Sequence, residues 1–419
     1  MNKVVSIKTY PFWKLFTLIA FVFSPKIDII SIPNFWQGIR LDDLIILFYS
    51  ILFFFSNKSK IYPNLINSKI FGFNWIIFFP YLVFSMIIGK LFQIEPSFII
   101  LIRYMEYIAL IIILNQLDYP KEAILSCFKV YILINFVIVL LQYFDLVGGF
   151  TSRGMYHLAD IKEICLLNCD LGFWKNYIPA GEFLSDRVTG ISGGPWELSM
   201  NLSLSLFSLA LFEKKIKKIA PYFLMTILIM MIVQSRGIVF GFVAGSLFIF
   251  NDLKKSIIII FFLLIFIILI YLINIFNFRE IINERFFVNY FELIKIIISA
   301  FTGNLTQASI YENTGLESMW WRAYHWQQAL SDVKKSSIMM IFGNGGHHIY
   351  VESFIIRLIT SFGIVGSLLT IYLSRKLPLF FIVFIFVTGI TIDMFVSFKI
   401  FVFSCLFLIL YKKNKNVVN

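Results

Sequence analysis

The sequence predicts an all-α, polytopic integral membrane protein with about twelve transmembrane helices. Three observations lead there. Of the 419 residues, 59% are apolar and only 14% charged, and the mean hydropathy is +0.85. A soluble domain of that length has too little interior to hide so much apolar surface. Apolar runs of about eighteen residues or more, the length that crosses a bilayer as a helix, recur along the chain. The net charge of +12 is spread over short basic clusters between those runs. Such clusters mark cytoplasmic loops, whereas a nucleic-acid-binding face gathers its charge in one patch.

Lys3, Lys8 and Lys14 come first and place the N-terminus in the cytoplasm. The run after them has no small-residue cleavage site and reads as a retained span over 12–32, bent at Pro25. An outer loop holding Arg40, Asp42 and Asp43 leads to spans over 44–55, 71–89, 98–117 and 123–147. A polar outer loop occupies 148–187, and the sixth span covers 197–212. Residues 219–250 lie between the basic stretches 213–218 and 251–255. If both stretches are cytoplasmic, the block crosses twice and turns at Gln234-Ser235-Arg236-Gly237, with Arg236 at the outer mouth. A single tilted helix would instead leave a lone arginine at membrane depth, which is costly. A ninth span over 256–276 opens a large outer segment, 277–351, with short helices expected at 287–301 and 320–333. Spans over 352–373, 379–390 and 395–410 complete the set, with a tight outer turn near Asp393 and no internal repeat. The whole chain 1–419 is thus one transmembrane domain with two larger outer loops.

Cys127 and Cys405 fall in spans and read as packing residues, while Cys165 and Cys169 share the first outer loop. A disulfide is open to that pair on an oxidising side. Only His157 stands near enough to add a metal ligand, too few for a site.

The topology brings Arg187, Arg236 and Arg322 to one side of the membrane. Arginine presents a rigid fork of donors that fits phosphate oxygens in pairs, although each of the three taken alone also reads as a surface residue. Arg322, His325 and Trp326 recur at i, i+3 and i+4 and so share a helix face, preceded by Trp320 and Trp321. Aromatic faces stack on sugar rings, which makes Trp321 and Trp326 candidates for glycan binding; anchoring at the lipid headgroups is the alternative. Gly343-Asn344-Gly345-Gly346 permits a tight turn that exposes backbone N–H groups to an anion. His347 and His348 follow without a third ligand at metal-site spacing. Glu352 stands where the outer segment enters an apolar run, a partly desolvated position that suits a general base. An acidic residue stabilised by the helix dipole is the other reading. His325 and His348 are further candidate bases. Arg357, Asp393 and Lys399 are charges in or near the last spans, either structural pairs or support for the site. The chain has no D-x-D and no phosphate-binding P-loop, which argues against nucleotide-driven chemistry.

Three segments in this order resemble one family. They are Arg187-Val188-Thr189-Gly190 with Pro195-Trp196-Glu197-Leu198, then Ser235-Arg236-Gly237, then a longer set. That set runs Arg322-x-x-x-Trp326, Gly343-x-Gly345, Glu352-Ser353 and Phe362-Gly363-Ile364-Val365-Gly366. Together they look like the O-antigen polymerase/ligase superfamily, integral membrane glycosyltransferases of GT-C-like architecture. The resemblance covers about 183–375 and implies that Arg236 and Arg322, and by extension Arg187, engage the pyrophosphate of an undecaprenyl-pyrophosphate-linked glycan. It implies transfer of a growing glycan to the non-reducing end of another lipid-linked repeat unit, at the periplasmic face of a bacterial inner membrane. The donor arrives activated, so no nucleotide, metal or other cofactor is expected. The implied partners are lipid-linked repeat units, membrane lipids and a chain-length regulator; nucleic acid is not among them. Ligase members usually place a His-Asn pair where this chain has Glu352-Ser353, which favours a polymerase over a ligase acting on lipid A core. A flippase or other transporter is the reading from a different class. It would place polar groups near the bilayer midplane, often with repeat symmetry, whereas the polar candidates here gather at one mouth.

Overall fold

A computed structural model describes residues 11–24, 28–30, 39–56, 78–94, 98–144, 188–192, 194–213, 216–233, 235–248, 290–305, 316–346, 351–375, 377–394 and 397–418. Fourteen helices make up most of the described residues. They are α1 (Pro11–Phe23), α2 (Leu41–Ser56), α3 (Phe78–Leu91), α4 (Phe98–Leu117), α5 (Lys121–Tyr143), α6 (Pro195–Phe212) and α7 (Ile216–Val233). They continue with α8 (Arg236–Phe248), α9 (Tyr290–Thr302), α10 (Glu317–Lys334), α11 (Ser337–Phe342), α12 (Phe354–Ser374), α13 (Leu379–Gly389) and α14 (Phe398–Val418). Two short strands, β1 (Asp28–Ile30) and β2 (Ile39–Arg40), pair antiparallel.

The fold class is all-α, as the composition requires. Among the described residues, two helices, α5 and α12, are long and apolar enough to cross a membrane, with mean hydropathies of 2.5 and 2.0. Large apolar side chains stay exposed along helix flanks: Leu44, Leu47, Phe48 and Ile51 on α2, Val130, Leu133 and Val137 on α5, Ile364, Leu368 and Ile371 on α12. Stripes of this kind suit contact with lipid and are rare on soluble monomers.

Several expected boundaries shift. The first helix stops at Phe23 rather than running to 32, consistent with the approach of Pro25, which disfavours helix in the residue before it. Residues 28–30 form a strand, Arg40 closes β2, and Asp42 and Asp43 open α2 instead of lying in a loop. The block 219–250 divides into α7 and α8 around 234–235, where the two-span reading requires a break. The last helix begins at Phe398 and continues to Val418, beyond the expected end at 410. The loop 148–187 and the span 256–276 lie outside the described residues.

The chain divides into two compact units, one of Met1–Ile70, Glu106–Ser235 and Ser397–Asn419, the other of Phe71–Met105 and Arg236–Val396. In the first, α6 is buried on nearly every side despite its serines. Ser199, Ser203, Ser205 and Ser208 each donate to the carbonyl four residues back, at 2.8–3.0 Å, so these four hydroxyls enter the core satisfied. Rings from α5 and α14 stack beside it, Phe128 on Phe403 at 5.3 Å.

The second unit is built around a broken helix. Within α12, Gly363 has φ 62° and ψ −167°, which interrupts the i to i−4 ladder and strands the carbonyls before it. Asn344 and Gly345 donate their N–H groups to Thr360 O and Ser361 O at 2.8 and 3.1 Å. A Cβ on Gly343 would sit 2.2 Å from Ser361 O, so only glycine allows this approach. From α3, Ser85 Oγ donates to Phe342 O at 2.6 Å and Tyr81 OH to Phe362 O at 2.7 Å. Irregular backbone inside an apolar protein is tolerated where protein groups satisfy it in this way.

Candidate functional site

The candidate site lies in the second unit, where the start of α12 meets α10 and the turn after α13. Ser353 is the N-cap of α12: its Oγ accepts from Ile356 N at 3.3 Å and donates to Gly389 O at 3.1 Å. Phe354 N donates to Ile392 O at 2.9 Å. These bonds clamp the entry of α12 to the 389–393 turn.

The same turn receives the start of α8. A Cβ on Gly237 would meet Thr391 Oγ1 at 2.3 Å, and one on Gly241 would meet Thr388 Cγ2 at 2.3 Å. A glycine face at i and i+4 lets α8 lie flush on α13, the close approach small residues allow. Arg236 is the first residue of α8 and therefore begins beside Thr391. Gly237 of the Ser-Arg-Gly motif thus has a packing role.

Two arginine–carboxylate pairs stand at this end of α12. Arg322 Nε, from α10, donates to Glu352 Oε2 just before the helix; the side chains are 31% and 35% exposed. Arg357 Nε, from the first turn of α12, donates to Asp393 Oδ2; these side chains are 8% and 0% exposed. The inner pair is one that burial demands, because a charge removed from water must be paired. The outer pair is open to a ligand. It joins a candidate phosphate-binding arginine directly to the candidate base.

Trp326 does not carry the stacking role expected of it. It is 1% exposed and packs in an apolar cluster with Ile296, Ala323, Leu330, Val351 and Ile356, with its indole N–H unpartnered among the described residues. The i, i+3, i+4 spacing grouped it with Arg322 and His325, but on this stretch the buried stripe runs through 319, 323, 326 and 330. Trp321 is 48% exposed and meets Trp320 edge-on at 5.1 Å and Tyr324 at 6.0 Å. The accessible aromatic surface is Trp321 with Tyr324, a residue that sequence reasoning passed over although it stands one helical turn from Trp321. The His325 ring lies 6.5 Å from Trp321, and its Nδ1 is buried without a hydrogen bond among the described residues.

The Gly-rich turn is likewise not an open anion cradle. Residues 343–346 are all buried. Their N–H groups go to Met339 O, Thr360 O, Ser361 O and the Asn344 side-chain oxygen. Two of the four, those of Asn344 and Gly345, satisfy carbonyls at the α12 break, which explains why Gly343-x-Gly345 and Phe362-Gly363 occur together. Arg187, His348 and the Arg236 side chain lie outside the described residues.

The first motif segment falls in the first unit as a tethered turn. Gln142 Oε1 accepts from Thr189 N and Gly190 N at 3.1 and 2.9 Å, and Asn135 Oδ1 from Ile191 N at 3.0 Å. Lys399 Nζ donates to Ile191 O at 3.0 Å, and Tyr131 OH bonds Ser192 Oγ at 2.8 Å. Pro195 then starts α6, a position where its missing N–H costs nothing. Glu197, 1% exposed, accepts from Ser397 Oγ at 2.6 Å. Comparison of the chain with protein-family models, curated proteins and solved structures returned no match.

Proposed function

We propose that the protein is a polysaccharide polymerase of the O-antigen type, with twelve spans in a bacterial inner membrane and its site on the periplasmic side. The observation that carries this reading is the partly exposed Arg322–Glu352 pair at the entry of a span-length helix. A guanidinium fork and a carboxylate in contact, at the depth of lipid headgroups, are what transfer from a lipid pyrophosphate needs.

In the proposed reaction Arg322 and Arg236 hold the pyrophosphate and stabilise the charge that develops as it leaves. Glu352 accepts the proton of the acceptor sugar hydroxyl. The acceptor oxygen bonds to the anomeric carbon of the growing glycan, the bond from that carbon to the pyrophosphate oxygen breaks, and undecaprenyl pyrophosphate departs. Trp321 and Tyr324 offer stacking surface for the glycan, and His325 is the alternative base.

Deletion of the gene followed by a gel of surface polysaccharide tests the reading. A polymerase mutant should leave a single repeat unit on the lipid A core. Bare core would point to a ligase or flippase, and an unchanged ladder would remove the proposal.

A further inference from the structure

The Arg322–Glu352 contact poses a problem for any anion-binding role of Arg322, since the arginine already holds an anion of its own. The pair is well placed to be exchanged. Both side chains are about a third exposed, unlike the buried Arg357–Asp393 pair beside them. Ser353 and Phe354 fasten the backbone next to Glu352, so its carboxylate stays near Arg322. Glu352 also lies two residues before α12, a helix long and apolar enough to span, so the proposed topology puts the pair at headgroup depth.

At that depth the phosphates of anionic phospholipids are abundant, each with one negative charge that no cation of its own headgroup offsets. An arginine with no counter-ion there would be occupied by them. We propose that Glu352 is a specificity-determining residue that reserves Arg322 for a pyrophosphate over the single phosphates of the surrounding lipid. The inference rests on the pyrophosphate role of Arg322 proposed above. Exchanging a carboxylate for a phosphodiester replaces one negative charge by one negative charge and gains little. Exchanging it for a pyrophosphate brings a second charge and more acceptor oxygens to the fork. The exchange also releases the Glu352 carboxylate beside the bound donor.

The test uses the full chain in phosphatidylcholine nanodiscs, with and without about 30% phosphatidylglycerol, and measures binding of farnesyl pyrophosphate. In phosphatidylcholine alone, Glu352→Gln should bind about threefold tighter than wild type, the scale of an exposed ion pair. Phosphatidylglycerol should weaken binding to Glu352→Gln about tenfold more than binding to wild type. Glu352→Asp, which keeps the charge, should keep the wild-type response of binding to phosphatidylglycerol. In an Arg322→Gln background the difference between Glu and Gln at 352 should vanish. Equal sensitivity of wild type and Glu352→Gln to phosphatidylglycerol would overturn the inference. If Arg322→Gln still lost binding in that case, the pyrophosphate reading would stand. Absence of farnesyl pyrophosphate binding to wild type and every variant would remove that reading and the inference together.

Discussion

Both compact units bury charge, but the second also keeps a partly exposed arginine–carboxylate pair at the candidate site. In the first, Glu197 and Lys399 are 1% and 4% exposed, and their charged ends are met by Ser397 Oγ and the Ile191 carbonyl. In the second, one pair is equally buried, Arg357 with Asp393, but its neighbour Arg322–Glu352 is about a third exposed. A buried charge held by protein groups fixes backbone in place. A charge that meets a ligand must stay reachable and must be able to change partner. The comparison therefore separates charges that hold the fold from those available for chemistry, although both kinds occur in family-like motifs.

The largest effect should come from breaking a buried pair. Arg357→Met leaves Asp393 without its guanidinium and should cost about 3–5 kcal/mol of stability, read as a fall in the thermal unfolding midpoint of the purified protein. Replacing both, Arg357→Met with Asp393→Leu, should recover most of that loss, because no lone buried charge then remains. A double variant as unstable as the single one would mean that the pair is held by more than mutual neutralisation.

The exposed pair should answer in rate. Glu352→Gln should slow chain extension about a hundredfold, with the unfolding midpoint nearly unchanged. Arg322→Lys keeps the charge but loses the fork, and should slow extension about tenfold or more. Lys335→Ala, also exposed and outside the motifs, is the control expected to be silent. Loss of stability rather than rate in Glu352→Gln would erase the contrast between the two kinds of pair.

The smallest effect concerns pH. The hydrogen bond and charge of Lys129 hold the Glu213 carboxyl, at the end of α6, below the usual carboxylate range. A depressed native value means that the unfolded chain binds the proton more readily, so the contribution is present at neutral pH. It should fade as pH falls through the unfolded and then the depressed native value. Lys129→Met should flatten the acid limb of a plot of unfolding midpoint against pH, leaving the neutral region shifted by about 1 kcal/mol or less.

Part of the candidate site could be read from residue order. Arg322 and Glu352 stood out as a fork and a carboxylate at the edge of an apolar run, and the break near 234–235 followed from basic stretches on either side. Trp326 was misread because i, i+3, i+4 spacing says which residues share a face but not which face is buried. The Gly-rich turn was misread for a related reason. Local sequence shows that a backbone is free to turn, but not that Thr360 and Ser361 carbonyls need its N–H groups. Tyr324 drew no notice because a tyrosine beside tryptophans looks like any other aromatic.

What the sequence determined by itself is the all-α class, the membrane-spanning length of α5 and α12, and most helix limits. Hydrophobic run length, proline and capping residues act over a few neighbouring positions, so they are written locally. Only the tertiary structure decided the partners. Arg322 reaches Glu352 across 30 residues, Arg357 reaches Asp393 across 36, and Glu197 meets Ser397 across 200. Such pairings are set by packing between distant segments rather than by the preferences of either one.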